Sequence, residues 1–131
     1  VQYGQGTLLL VDDEDHVLEV TRKLLEGLGY TVLGAGSGQE ALDAYQRHSS
    51  GIDLVILDLI MPGMGGKKIY NRLKEIDPAV KVLLSSGYYD TEQVQAVLDL
   101  GCNSFIQKPF DWEELSQKVK EAIRAGKSET T

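Results

Sequence analysis

Short apolar runs alternate with amphipathic helical patterns along this 131-residue chain. Continuous apolar runs suit strands that are buried on both faces, which occur mainly in parallel sheets. Between the runs, apolar residues recur at the three- and four-residue spacing of helices. The runs are Thr7–Val11, Tyr30–Ala35, Asp53–Leu57, Val80–Ser85 and Ser104–Gln107. The alternation predicts an α/β fold, a single (βα)5 domain with helices on both faces of a parallel sheet.

Local signals add detail to this outline. The helix after the first run is expected to turn Val17, Val20, Leu24 and Leu28 towards the sheet, since they follow helical spacing. The segment Ser37–Glu40 has the pattern of a capping box, which predicts a helix start there. The run Tyr30–Ala35 is less apolar than the others, which favours a position at the edge of the sheet.

Charged and hydroxyl side chains follow four of the five predicted strands. Asp12 and Asp13 come after the first, Asp58 ends the third, Ser86 follows the fourth and Lys108 the fifth. Right-handed crossovers place the carboxyl ends of all parallel strands at one edge of the sheet, where ligands bind in open α/β folds. These side chains are therefore expected to converge there.

The chemistry of this set points to phosphoryl transfer. Three carboxylates repel one another and favour a bound cation, and oxygen ligands without His or Cys favour Mg²⁺, with Mn²⁺ as an alternative. A carboxylate such as Asp58 can attack phosphorus, and Lys108 and Ser86 could contact the transferred oxygens. Ser85 competes with Ser86 for the hydroxyl role.

Composition excludes several classes. The formal net charge of −7 disfavours nonspecific binding to nucleic acid or anionic membranes, so neither contact is expected of this domain. No apolar run approaches the roughly 20 residues needed to span a bilayer. The single cysteine, Cys102, cannot form an internal disulfide, so a cytoplasmic location is expected.

Four sets of residues together resemble the response regulator receiver domain of two-component signalling. They are Asp12-Asp13, Asp58 in the stretch DLIMPGMGG, Ser86-Gly87 and Lys108-Pro109-Phe110, all in order and at the predicted strand ends. The resemblance covers residues 7–125, which leaves residues 1–6 as a linker and 126–131 as a tail. It implies a flavodoxin-like doubly wound sheet of strand order 2-1-3-4-5.

The resemblance also implies roles for individual residues. Asp58 would accept a phosphoryl group from a phosphohistidine. Asp12, Asp13, Asp58 and the backbone carbonyl of Ile60 would bind Mg²⁺. Lys108 would pair with Asp58 or its phosphate, and the peptide bond from Lys108 to Pro109 is often cis in such domains. Ser86 would act as the switch hydroxyl and Phe105 as the switch aromatic, changing the surface formed by the fourth helix, fifth strand and fifth helix.

Three other functional classes fit the sequence less well. An aspartyl-phosphate phosphohydrolase usually has a second Asp two residues after its nucleophile, where this chain has Ile60. A pseudo-receiver, an interaction module without phosphate chemistry, would lack Asp58, Lys108 or the acidic pair. A flavodoxin-like cofactor binder would have a Ser/Thr-rich loop after the first strand, where this chain is rich in Asp.

The expected activity is therefore self-phosphorylation and autodephosphorylation, with no turnover of an outside substrate. The short segment after the last helix predicts no attached DNA-binding domain. The residues before Thr7 and the Leu84–Tyr88 stretch are similar to the same regions of receivers at the C-terminal end of hybrid sensor histidine kinases. The parent protein could therefore itself be a kinase. A histidine kinase or a histidine phosphotransfer protein is the expected partner.

Overall fold

The computed structural model describes residues 3–87, 92–102 and 104–128, with side chains as far as residue 124. Its sheet has five parallel strands, in the order β2-β1-β3-β4-β5. The strands are β1 (Gly6–Val11), β2 (Tyr30–Ala35), β3 (Leu54–Asp58), β4 (Val82–Ser86) and β5 (Ser104–Gln107). The predicted α/β class and the strand order 2-1-3-4-5 are confirmed, and β2 lies at an edge as expected.

One helix follows each strand. The helices are α1 (Asp15–Gly27), α2 (Gly38–His48), α3 (Gly66–Ile76), α4 (Glu92–Asp99) and α5 (Trp112–Ser128). The first strand thus begins one residue before the predicted domain and α5 extends to Ser128, beyond residue 125. No helix in the described part of the chain is both long and apolar enough to cross a membrane.

Two apolar cores cover the two faces of the sheet. One core packs α2, α3 and α4 against the sheet, through side chains such as Leu9, Leu57 and Leu84. The other packs α1 and α5 against the opposite face, where Leu10 and Ile56 point. Because successive side chains of a strand point to opposite faces, this division fixes the face of every strand residue.

Helix α1 buries a stripe that matches the predicted one only in part. Leu28, just after the helix, is buried as predicted, but the buried residues within the helix are Thr21 and Leu25, and Val20 is 45% exposed. The helix carries apolar residues on two adjoining stripes, so spacing alone could not select the one that faces the sheet. The other three predicted residues, Val17, Val20 and Leu24, lie beside Pro109 and Phe110.

The start of α2 confirms the capping prediction. The Ser37 hydroxyl accepts a hydrogen bond from the Glu40 backbone N–H at 3.2 Å. The Glu40 carboxylate accepts from the N–H of Gly36 at 2.6 Å, one residue before the N-cap. Both side chains therefore satisfy backbone donors at this helix end.

The loop from β3 to α3 depends on a close approach at Gly66. The Gly66 N–H donates to the Leu59 carbonyl at 3.0 Å. A Cβ atom at Gly66 would lie 2.7 Å from that oxygen and 2.9 Å from the Leu59 Cα. Neither backbone atom can move without shifting the end of β3. At the neighbouring Gly65 a Cβ would meet nothing within 4 Å.

Gly66→Ala is expected to lower the free energy of unfolding by about 1–3 kcal/mol, the usual cost of overpacking a site that cannot relax. Gly65→Ala is the matched control and should cost only about 0.5 kcal/mol, as expected for a glycine N-cap. Urea denaturation followed by circular dichroism measures both. Equal losses in the two variants would show that the contact with Leu59 is not what requires Gly66.

Candidate functional site

Three carboxylates meet at the carboxyl edge of the sheet. Asp12 and Asp13 follow β1, Asp58 ends β3, and oxygens from all three lie within 4.8 Å of one another. Asp12 and Asp58 are buried and Asp13 is exposed. Asp58 lies more than forty positions after Asp12 and Asp13 in sequence, so its meeting with them is a consequence of the parallel pairing of β1 with β3.

Lys108 supplies the positive charge beside this cluster. Its Nζ atom lies 2.8 Å from Asp12 Oδ2 and 3.6 Å from Asp58 Oδ2. It thus contacts both strand-end carboxylates and is closer to Asp12, whereas the sequence interpretation paired it with Asp58. Its own backbone N–H donates to the Ser86 carbonyl at 2.8 Å, which ties β5 to the end of β4. The peptide bond from Lys108 to Pro109 is cis.

Backbone N–H groups also bind the two buried carboxylates, which the sequence interpretation missed. Asp12 Oδ1 accepts from the Glu14 N–H at 3.0 Å, and Asp58 Oδ1 accepts from the Ile60 N–H at 3.3 Å. In both cases the donor lies two residues after the aspartate, which is the local turn that Asp favours. An aspartate at the end of a buried strand was the sequence signal for these turns.

Burial and charge act in opposite directions on the two central groups. Burial raises the pKa of Asp58 to about 6; the Lys108 charge opposes this, and the neighbouring charges of Asp12 and Asp13 add to it. For Lys108, burial lowers the pKa, but the hydrogen bond to Asp12 and the charge of Asp58 outweigh it, so the pKa is raised. The site therefore holds a crowded, under-compensated set of negative charges.

The donor set suits a hard divalent cation. Carboxylate oxygens are the ligands that Mg²⁺ prefers, and one lysine does not neutralise three carboxylates. The Ile60 side chain is 45% exposed, and its N–H is the group that contacts Asp58. The role predicted for the Ile60 carbonyl stays a prediction.

The two serines at the end of β4 face opposite sides of the sheet. Ser85 pairs with Asp58 in register, and paired residues of parallel strands share a face. Ser86 is one residue nearer the loop. It faces the side of α2, α3 and α4, because Leu84, two residues earlier in the strand, packs on that side. Both are buried. Phe105, paired with Leu84, is half-buried and packs against the core on that same side.

Comparison with known proteins agrees with the fold. The sequence model of the response regulator receiver domain matches residues 8–120. Sporulation initiation phosphotransferase F of Bacillus subtilis is 32% identical over 88% of this chain and 92% of its own length. The sensor kinase CckA of Brucella abortus is 34% identical over 92% of this chain, which spans 13% of that kinase.

One solved structure is similar to this chain over most of its length. The receiver domain protein of Clostridium thermocellum superposes with a TM-score of 0.87 at 31% identity, covering 93% of this chain and 97% of that one. Other curated relatives are longer, and this chain spans 54% and 31% of the lengths of two of them. With the match of the family model over most of its length, the chain belongs to the response regulator receiver domain family.

Proposed function

We propose that this domain accepts a phosphoryl group onto Asp58 from the phosphohistidine of a histidine kinase or a histidine phosphotransfer protein. The observation that carries the proposal is the convergence of Asp12, Asp13 and Asp58 with the Lys108 ammonium. A net charge of −7 and the absence of a second cysteine fit a cytoplasmic protein-binding domain that does not contact nucleic acid directly. The similarity to a sensor kinase supports a parent protein of the hybrid kinase type.

The chemistry follows from the charges at the site. An Asp58 oxygen forms a bond to phosphorus while the bond from phosphorus to the donor imidazole nitrogen breaks, and the electron pair stays on that nitrogen. Lys108, which contacts Asp12 and Asp58, can reach the incoming phosphoryl oxygens with a small movement. Mg²⁺, held by Asp12, Asp13, Asp58 and the Ile60 carbonyl, would supply further positive charge to those oxygens when bound.

The phosphorylated state is proposed to alter a surface on one side of the sheet. Ser86 is buried on the side that carries α2, α3 and α4, and Phe105 is half-buried in β5 on the same side. A shift of the Ser86 hydroxyl towards the phosphate would open space that the Phe105 ring can enter. The surface of α4, β5 and α5 would change as a result.

The alternatives have less support. The pseudo-receiver hypothesis is disfavoured because Asp58, Lys108 and the acidic pair are all present and lie together at one site. The phosphohydrolase hypothesis is disfavoured because such enzymes have a proton-donating side chain two residues after the nucleophile. Ile60 occupies that position here and cannot donate a proton from its side chain.

Incubation with acetyl phosphate and Mg²⁺ should add a single phosphoryl group, detected by intact mass. Asp58→Asn should abolish the addition because its amide is not a nucleophile for phosphorus. Asp43→Asn is the matched control, since Asp43 is an exposed carboxylate on α2 whose contact is with Gln39. A phosphoryl group that still adds to Asp58→Asn would refute the proposal. A wild type that neither takes up a phosphoryl group nor binds beryllofluoride would also refute it.

Asp58→Asn is also expected to stabilise the fold in Mg²⁺-free buffer at pH 8, by about 1–3 kcal/mol. The folded-state pKa of Asp58 is raised to about 6 from its ordinary value of 3.8, so the folded protein binds the extra proton between these values. The free energy of unfolding of the wild type should therefore fall as pH rises from about 4 to about 6. The difference in this free energy between the wild type and Asp58→Asn, the stability gap, should grow over that range.

Urea denaturation at pH 4, 6 and 8 measures this gap, and the substitution leaves in place both partners of the 2.8 Å contact between Lys108 and Asp12. Added Mg²⁺ should stabilise the wild type more than Asp58→Asn, because one of the proposed ligands is lost. A gap that stays constant across pH would mean that the ionised carboxylate is not the cause of the difference.

Ser86→Ala should separate phosphorylation from switching. We expect phosphoryl uptake to remain, while the backbone amide shifts that beryllofluoride induces in residues 92–102 and 104–107 become smaller. Ser86→Thr keeps the hydroxyl and should retain the shifts. NMR of the three proteins makes the comparison, and full-sized shifts in Ser86→Ala would remove Ser86 from the switch.

A further inference from the structure

Residues 3–6, the leader segment, lie between the turn that joins α1 to β2 and the second half of α5. The Gly4 N–H donates to the carbonyl of Leu28, in that turn, at 2.9 Å. The Lys120 ammonium, on α5, donates to the Tyr3 carbonyl at 2.8 Å. Because α1 and α5 cover the same face of the sheet, the leader segment bridges these two elements at the amino edge of the sheet.

The docked position of the leader segment depends on a close approach at Gly4. A Cβ atom there would lie 2.7 Å from Cζ of the Tyr30 ring and would overlap the Tyr30 hydroxyl. Tyr30 is only 4% exposed and packs in the core beneath α1 and α5, so its ring is not free to turn aside. On the opposite side, a Cβ atom at Gly29 would overlap the Gly4 carbonyl oxygen. Shape as well as hydrogen bonding therefore selects this position.

The inner end of the leader segment is fixed, whereas its outer end is open to solvent. The Thr7 N–H donates to Asp53 Oδ2 at 2.8 Å, and the Asp53 N–H donates to the Thr7 carbonyl at 2.8 Å. Gly6 has a φ of 138°, a conformation that favours glycine. Tyr3, at the outer end, is 66% exposed. A rotation about Gly6 would therefore carry Tyr3 away from α5 and leave β1 paired.

The second half of α5 is also held in two other ways. Val119 and Ala122 pack in the core beneath the helix. The ammonium of Lys81, which precedes β4, donates to the Ile123 carbonyl at 2.8 Å. Loss of the contact between Lys120 and the leader segment would therefore loosen this part of α5 without detaching it from the sheet.

We propose that the leader segment is a releasable strap that restrains the second half of α5. When docked, the strap ties α5 to the turn between α1 and β2; when released, it leaves α5 more mobile. A short chain end held by exposed hydrogen bonds opens more readily than a packed core. The strap acts at the amino edge of the sheet, whereas Asp12 and Asp58 lie at the carboxyl edge, beyond the six residues of β1.

The position of the strap gives α5 a control that is separate from the phosphoacceptor. Helix α5 is part of the surface that is proposed to change on phosphorylation, through Ser86 and Phe105 near the carboxyl ends of the strands. The strap would reach the same surface from the other end of α5. This consequence rests on the proposed function, whereas the strap itself does not.

Hydrogen–deuterium exchange of the α5 amides tests the strap. Lys120→Met removes the ammonium that bonds the Tyr3 carbonyl and keeps most of the length of the side chain. Exchange in residues 117–124 is expected to become about two- to tenfold faster, the effect of losing one hydrogen bond. Lys118→Met is the matched control and should leave exchange unchanged, because Lys118 lies about 200° around the same helix.

Gly4→Ala should loosen α5 from the other partner, because its methyl group would meet the Tyr30 ring. Gly51→Ala is the control, since Gly51 precedes β3 at the same edge and a Cβ there would lie 3.7 Å from the nearest listed atom, an ordinary contact. Faster exchange confined to residues 117–124 and the turn between α1 and β2 would support the strap. Unchanged exchange in Lys120→Met and Gly4→Ala would overturn it. An equal rise in residues 54–58 would also overturn it, since the whole fold would then be weakened.

Phosphoryl uptake separates this inference from the proposed function. Lys120→Met should take up a phosphoryl group from acetyl phosphate and Mg²⁺ at the wild-type rate, because Lys120 contacts the opposite edge of the domain. Slower uptake in this variant would overturn the claim that the strap is separate from the phosphoacceptor. A wild type that takes up no phosphoryl group would refute the proposed function and leave the strap in place, since amide exchange does not depend on Asp58.

Discussion

The contact of one lysine with two buried carboxylates is the interaction on which the site depends. Lys108 lies 2.8 Å from Asp12 and 3.6 Å from Asp58, while Asp13 adds a third negative charge nearby. Burying like charges together is unfavourable, and a single ammonium offsets only part of that cost. The raised pKa of Asp58 expresses the remainder. The arrangement keeps like charges together at the expense of stability, and an added cation at this position would offset part of that cost.

The rest of the fold serves to hold those groups at one edge. All five residues of β3 are buried, so Asp58 is carried on a fully buried strand in the middle of the sheet. Local turns then direct the Glu14 and Ile60 N–H groups onto the carboxylates of Asp12 and Asp58. The close approach of Gly66 to Leu59 fixes the start of the loop that follows Asp58. Core packing and backbone hydrogen bonds therefore hold the two buried carboxylates where Lys108 contacts them.

The two serines at the end of β4 illustrate how a single position changes what a residue can do. Ser86 faces the side of α4, where a conformational change could reach the surface, and Ser85 faces the side of Asp58. Both are hydroxyl side chains at a strand end, and both are buried. Because strand side chains alternate between faces, the two serines have separate relations to Asp58.

Much of the fold and of the candidate site could be predicted from the sequence. The apolar runs and helical spacings determined the α/β class, and strand-end positions determined that Asp12, Asp13, Asp58 and Lys108 would share an edge, because parallel strands align their carboxyl ends. Tertiary structure alone decided the buried stripe of α1, since two apolar stripes were available to it. It alone decided that Lys108 lies closer to Asp12 than to Asp58, and that the buried Ser85 hydroxyl lacks a hydrogen-bond partner among the described residues. Distances and unmet hydrogen bonds depend on how separate strands pack, and that information lies in no local stretch of the chain.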